Sequence, residues 1–349
     1  MAHRILITGA SGYLGGTLLA KLPSANLPAY DKLFALVRTP VQAEAVQQYG
    51  VQPLTFAADD EEAVRENIVK HGITIVFYLI NAVKLEGPLN FIKALAEVKI
   101  QQGGREVHFL HTTGAKLFSS HAGAPTDRPL LDTDNHLYDI QKSQKAPHAV
   151  MQSGVTTNNA ITEQGEKCGV RTYIFAPCIV YGKNQGFGNP ISIQTVAIVK
   201  AAKATGRVFS VDHGRPTWPV CHVADNASLY LQILHCILAG QDPGHGKNGY
   251  YLASPGSVAW DDIYLAMAKR LTERKVINTD QVVMADDAAL EKMAEALGCS
   301  KEFVAVQIGG KCTFTAEHGV SIGWKPQYPA SHILEAAAAE VDLILQSLP

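Results

Sequence analysis

A chain of 349 residues, 47% of them apolar and 18% charged, has the composition of a globular protein with a sizeable core; disordered, collagen-like and coiled-coil classes are excluded. Its 30 basic and 32 acidic residues leave a net charge of −2, so nothing draws it to nucleic acid or to an anionic membrane surface. Six cysteines without a CxxC pair and 13 histidines without ligand spacing read as reduced thiols and ordinary imidazoles, with no metal site expected.

The first half alternates short apolar runs with amphipathic segments. Arg4–Thr8 reads as a strand and Gly16–Leu22 as a helix; Leu33–Arg38 is a second strand. Glu61–His71 is helical, with Val64 and Ile68 on one face, and Ile73–Ile80 is apolar enough for a strand buried on both sides. A helix over Leu89–Lys99, a strand over Val107–His111, a helix over Val155–Cys168 and a strand over Arg171–Ala176 continue the pattern. That alternation predicts an α/β fold built on a Rossmann-type, doubly wound parallel sheet. After Gly182 the rhythm changes: a helix over Ile191–Thr205, a short strand over Val208–Val211, and a helix over Val223–Leu238 that should return to the first layer. Helices around Asp261–Leu271, Ala288–Leu297 and Ile333–Leu348 close the chain. No apolar run reaches the roughly 20 residues of a membrane span. The opening MAHRILITGASG enters a strand without signal-peptide architecture, so a cytoplasmic protein is expected.

Between the first strand and the first helix lies Thr8-Gly9-Ala10-Ser11-Gly12-Tyr13-Leu14-Gly15. Gly9, Gly12 and Gly15 permit a tight turn and close backbone approach to a diphosphate, which the helix N-terminus would hold. The context, not the glycines alone, makes this a dinucleotide site. Residues 1–182 and 212–240 are accordingly read as a dinucleotide-binding domain. Residues 183–211 and 241–327 would form a smaller, discontinuous substrate domain, and 328–349 a C-terminal helix.

The GxxGxxG spacing resembles the short-chain dehydrogenase/reductase superfamily. Pro177-Cys178-Ile179-Val180-Tyr181-Gly182 is similar to a segment of its extended branch, the NAD-dependent epimerase/dehydratase family, with Ala176 where arginine is usual. Val220-Cys221-His222-Val223-Ala224-Asp225, Tyr250-Tyr251-Leu252-Ala253 and Ile322-Gly323-Trp324-Lys325-Pro326 resemble further family segments, in the right order; the details look most like fungal members. The resemblance implies that Gly9, Ser11, Gly12, Tyr13, Leu14, Gly15, Leu79 and Pro177 lie against a nicotinamide cofactor. It makes Tyr250–Ala253 a strand of the second domain, and gives His222 and Asp225 the task of holding domains together. Asp59 resembles the family's adenine-binding aspartate, although it or Asp60 would serve equally as a helix cap. The second strand ends Leu36-Val37-Arg38 with no acidic residue. An arginine there accommodates a 2′-phosphate, so NADP(H) is favoured over NAD(H), unless Arg38 is simply solvated.

The superfamily's acid is a tyrosine whose pKa is lowered by a lysine four residues on, beside a hydroxyl that orients the substrate oxygen. Thr113, Tyr138 and Lys142 are the candidates here. Tyr138 nevertheless stands 39 residues before Pro177, about a dozen too many. Either a Ser143–Ser153 insertion with Pro147 separates the pair from its helix, or the pair is lost, with Val150 and Gly154 in its place. Lys116, on the loop after the Val107–His111 strand, could supply a missing cation or be merely solvated, and His111 reads as a packed strand-end residue. Trp218, Tyr181 and Phe187 could line a substrate pocket or belong to the core. The leading function is an NADP(H)-dependent oxidoreductase acting on a carbonyl or alcohol of a small molecule, with a homodimer as one open assembly. A redox-neutral epimerase or dehydratase and a non-catalytic NADP-binding regulator stay open beside it.

Overall fold

The structure, a computed structural model, describes residues 2–348. Seven strands form one parallel sheet: β1 (Arg4–Thr8), β2 (Lys32–Leu36), β3 (Gln52–Leu54), β4 (Ile75–Tyr78), β5 (His108–Thr112), β6 (Arg171–Pro177) and β7 (Tyr250–Ala253), in the order β7-β6-β5-β4-β1-β2-β3. The chain runs outward from β1 to β3, then crosses back to lay β4 on the other flank of β1. Such a reversal leaves a crevice beyond the carboxyl ends of β1 and β4, where doubly wound sheets bind ligands.

Helices cover the sheet on both faces, which is why β4 is wholly buried. α1 (Tyr13–Lys21) follows the glycine turn, and α2 (Pro40–Gln47) follows β2. α3 (Glu61–His71) and α4 (Glu86–Gln101) pack together, and α4 packs on α6 (Ala149–Cys168). The helix Val223–Leu238 does return to the first layer, where it packs on α1. α3 keeps the expected bounds because both ends are chemically marked. Asp60 caps it by accepting from Ala63 N at 3.1 Å, and Gly72 ends it in the left-handed region at φ 57°. No helix among the described residues is long and apolar enough to cross a membrane.

Two readings need correction. Tyr250–Ala253 is not a strand of a second domain; it is β7, paired parallel with β6 and completing the central sheet. Its apolar character, with all four residues buried, fits that place as well as any outlying one. The helix expected over Val155–Cys168 begins six residues earlier, at Ala149. Pro147 lies ahead of its first turn, where no intrahelical N–H is needed. Gly154 does not break it: a Cβ there would stand 2.6 Å from Leu117 Cδ1, so the glycine lets the loop after β5 pack onto the helix.

Beside the large sheet, Thr217–His222 pairs parallel with Ile179–Tyr181 and antiparallel with Gly256–Ala259. This small sheet brings Val180 and Trp218 to the crevice. The C-terminal helix His332–Ser347 lies on Trp260–Glu273, with Asp342 accepting from Arg270 at 3.0 Å and Arg274 at 2.8 Å. Asp225, in the first turn of the Val223–Leu238 helix, holds the segment ahead of the C-terminal helix, its carboxylate taking the Gln327 and Tyr328 amides, each at 2.9 Å.

Candidate functional site

A cleft of about 1160 Å³ runs from the end of β2 across the ends of β1 and β4 to the first turns of α6. An inner pocket of about 400 Å³ shares Gly9, Gly12 and Leu79 with it and continues toward β5 and the small sheet. The glycine turn is the common wall. Gly9 sits at φ 69°, where a Cβ would meet the Leu79 carbonyl oxygen at 2.7 Å; a Cβ on Gly15 would meet the Gly9 carbonyl oxygen at 2.3 Å. The Gly12 amide donates to Gly9 O at 2.8 Å and closes the turn. α1 starts there with neither a side-chain cap nor an acidic residue in its first turn, so its amides and positive dipole end remain available to an anion.

At the outer end Arg38, Gln42 and Ser11 stand together. Gln42 Oε1 accepts from the Arg38 amide at 2.9 Å, and Gln42 Nε2 donates to Ser11 Oγ at 3.2 Å. Thr39 caps α2 and thereby fixes Gln42 beside the turn. The exposed Arg38 side chain lines the cleft without a hydrogen bond among the described residues. Because Asp60 is the cap of α3, its neighbour Asp59 is left facing the cleft. The set fits a dinucleotide: an uncapped helix start, a glycine turn without room for side chains, and one cation with no neighbouring acid at the end of β2.

The inner pocket holds Tyr13, Leu14, Gly15, Thr112, Thr113, Lys116, Pro177 and Trp218. Thr112 Oγ1 is paired with Tyr230 Oη at 2.7 Å, whereas Thr113 Oγ1 is buried without a partner. Tyr13 Oη donates to Gly182 O at 2.6 Å, and burial holds its phenol well above the ordinary range. The Cys178 thiol is likewise pushed up by burial and donates to Ala253 O at 3.1 Å. Loss of surrounding water lowers the Lys116 ammonium to about 8. His111, behind the pocket, is wholly buried and stacked on Tyr78, and burial lowers it to about 3; a neutral packed ring cannot serve as an acid near neutrality.

The structure therefore brings Gly9, Ser11, Gly12, Tyr13, Leu14, Gly15, Arg38, Asp59, Leu79, Pro177 and Thr113 around one continuous cleft. It places Tyr138 and Lys142 elsewhere. They sit on α5 (Leu137–Ser143), a short helix separate from α6, and neither lines the cleft or the pocket. Tyr138 Oη donates to Glu163 Oε1 at 2.6 Å, and Lys142 Nζ donates to the same oxygen at 2.7 Å. Glu163 lies six residues beyond Thr157, the last α6 residue on the cleft wall, or roughly 9 Å at the helical rise. The trio pins α5 to the outside of α6, and the Lys247 ammonium lies 5.0 Å from the Tyr138 ring centroid. Trp218 does line the pocket, whereas Tyr181 bonds His332 Nδ1 at 3.0 Å and Phe187 packs near Tyr49. Among the residues missed by sequence are Gln42 and, at the start of α6, Ala149, Gln152, Ser153, Thr156 and Thr157. Moving the helix start to Ala149 would have revealed the latter.

A strap packs against the turn, and its end at Asn189 reaches the inner pocket wall. Asn189 N donates to Ser11 O at 3.1 Å, and a Cβ on Gly188 would stand 1.9 Å from that same oxygen. Thr17 Oγ1 pairs with Asn184 Oδ1 at 2.9 Å, so residues 184–189 are anchored to α1 as well.

Comparison with known proteins agrees with this geometry. The chain is 23% identical over 318 residues to the oxidase ucsJ of Acremonium sp., covering 84% of this chain and 86% of that protein. It is 24% identical over 258 residues to 4-hydroxy-2-methyl-3-oxo-4-farnesyl-3,4-dihydroquinoline-1-oxide ketoreductase of Stigmatella aurantiaca, 73% of this chain and 69% of the other. Its fold matches UDP-glucose 4-epimerase of Thermotoga maritima with a TM-score of 0.62 at 15% identity, over 99% of this chain and 100% of that one. The dTDP-glucose 4,6-dehydratase of Bacillus anthracis, solved with NAD, matches with a TM-score of 0.63 at 12% identity, over 99% and 97%. The family model described as NAD dependent epimerase/dehydratase matches residues 5–245. With that match, its Rossmann-type sheet and its glycine turn, the chain belongs to the NAD-dependent epimerase/dehydratase family.

Proposed function

We propose that the protein is an NADP(H)-dependent oxidoreductase that reduces a carbonyl, or oxidises an alcohol, on a small organic molecule. The observation that carries this reading is the continuity of the dinucleotide cleft with a pocket holding an unpartnered Thr113 hydroxyl. The names of the oxidase and ketoreductase relatives support it. The dinucleotide, when bound, supplies or accepts a hydride. The uncapped amides of α1 hold its diphosphate, Asp59 faces its adenosine end, and Thr113 Oγ1 holds the oxygen of the reacting carbonyl. Arg38, with Ser11 and Gln42 beside it, favours a 2′-phosphate, since a charge-assisted pair contributes about 1.5–3 kcal/mol.

Titration of wild type and Arg38→Ala with NADPH and NADH tests the cofactor preference. NADPH should bind about 10- to 150-fold more tightly to wild type, and the substitution should erase most of that difference. Equal affinities in both proteins would sink it. Stoichiometric consumption of NADPH separates this reading from a redox-neutral reaction, in which the cofactor returns unchanged. The position of Tyr138 and Lys142 outside the cleft favours a second reading, a non-catalytic NADP-binding regulator. Any NADPH-dependent turnover of a carbonyl would eliminate it.

A further inference from the structure

With the tyrosine–lysine pair outside the cleft, the oxygen of a carbonyl substrate needs another proton source. Three side chains on the inner pocket wall carry a transferable proton on a titratable atom: Tyr13, Cys178 and Lys116. Tyr13 Oη is committed to the Gly182 carbonyl and the Cys178 thiol to the Ala253 carbonyl. Lys116 Nζ makes no hydrogen bond or ion pair with the described residues, although its side chain is largely covered. It projects from the short turn Ala115–Phe118, three residues after Thr113, whose buried hydroxyl on the same wall also has no hydrogen-bond partner among the described residues. The rest of the wall is mostly hydrocarbon, aromatic or thioether: Leu14, Leu117, Met151, Val180, Ile193 and Trp218. Nothing there answers the diphosphate of a sugar nucleotide, because the wall carries no arginine and no second lysine.

We propose that Lys116 is the proton donor to an apolar carbonyl compound seated in the inner pocket, a step that rests on the hydride-transfer reading above. As hydride from the reduced dinucleotide forms the new C–H bond, the carbonyl π pair moves to oxygen. An N–H bond of the Lys116 ammonium breaks and an O–H bond forms. The amine is left neutral and recovers its proton from water; both electrons arrive with the hydride. An ammonium largely withdrawn from water against a mostly apolar wall is held at about 8 by lost hydration, so it is mostly protonated near neutrality and gives up its proton readily. The titratable groups on its pocket wall are Tyr13 and Cys178; Cys312 bonds the Ala115 and Phe118 carbonyls of its own turn at 3.6 Å, and on the following turn lies His121, whose ring bonds the Gly309 carbonyl at 2.9 Å and feels His148 as well. Asp212, whose charge reaches His121, accepts from the Gly310 amide at 2.6 Å, and no carboxylate pairs with Lys116 itself.

The test has two arms. In the first, the full-length, cofactor-free protein is treated at pH 8 with 2-naphthaldehyde and cyanoborohydride, and adducts are located by peptide mass mapping. At that pH about half of Lys116 is neutral amine, against roughly one part in 300 of an ordinary lysine. Among lysines the dominant adduct should therefore fall on Lys116, the α-amino group being set aside because it is largely neutral at this pH in any chain; excess 2-acetylnaphthalene should suppress the Lys116 adduct and UDP-glucose should not. Labelling spread evenly over surface lysines, or protection by UDP-glucose, overturns the proposal. In the second arm, reduction of 2-acetylnaphthalene by NADPH should decline as pH rises through about 8. Lys116→Met should cut turnover at least 100-fold at unchanged NADPH affinity and undiminished Tm. Unchanged turnover in that variant overturns the proposal and leaves the oxidoreductase reading standing, whereas failure of wild type to bind NADPH overturns both.

Discussion

A methyl group on Gly15 would stand 2.3 Å from the Gly9 carbonyl oxygen, closer than any relaxed Cβ comes to backbone. Gly15→Ala should therefore cost about 1–3 kcal/mol in urea unfolding and abolish NADPH binding, because the turn must open to admit it. Normal binding in this variant would mean that the diphosphate lies elsewhere. Lys116 works in the opposite sense. Its lowered pKa means that the folded protein binds the proton more weakly than the unfolded chain does. The penalty is full below about pH 8 and fades as pH rises toward the ordinary lysine range. Lys116→Met should raise Tm at pH 7, with an advantage that shrinks in scans above pH 8; a lowered Tm would show that the ammonium is paired after all. Tyr138 offers the contrast. Tyr138→Phe removes a hydrogen bond on the outside of α6, so it should cost about 0.5–1.5 kcal/mol and leave carbonyl reduction unchanged.

At the scale of elements, what the chain disclosed depended on whether the signal was local. α3 was legible to the residue, because Asp60 and Gly72 mark its ends and Val64 and Ile68 its buried face. The glycine turn was legible for the same reason: Gly9, Gly12 and Gly15 answer a constraint within eight residues. The start of α6 was not. Pro147 and Gly154 look like breakers, and only the packing of Leu117 against Gly154 explains why a helix passes through. The YxxxK spacing was local and misleading, since nothing in residues 138–142 says that Glu163 holds them outside. β7 was misassigned because an apolar strand of four residues reads alike in either sheet. The docking of residues 327–328 was not legible: Asp225 had only a structural task by resemblance, and its bonds to the Gln327 and Tyr328 amides span about 100 residues. Asp225→Ala leaves two amides without a charged acceptor, and a loss of about 2–4 kcal/mol at unchanged denaturant m-value is expected. A loss below 0.5 kcal/mol would mean that this link carries no weight.

Taken as a whole, the molecule was predictable as a Rossmann-type sheet because strand–helix alternation is written along the entire first half. The pocket was less so, since its wall is drawn from β5, α6 and the small sheet, segments spread from Thr112 to Trp218 along the chain. A ligand that binds only the folded state should report on the assembled cleft. At 100 times its dissociation constant, NADPH adds about 2.7 kcal/mol to stability. It should raise Tm by about 2–3 °C more than NADH at equal concentration, and Arg38→Ala should bring the two shifts together.

The strap over the glycine turn bears on how fast the cofactor arrives. Asn189 donates to the Ser11 carbonyl, Gly188 lies close against it and Asn184 holds Thr17, so the turn is clamped by this strap rather than by the cofactor. A loop fixed in its binding shape gives up no further freedom on association. Encounter then has no slow ordering step behind it, and in stopped flow the observed rate should climb linearly with NADPH concentration in a single phase. Replacing Gly188 with alanine pushes the strap off Ser11 and frees the turn, so the same trace should curve toward a plateau set by the loop's own refolding.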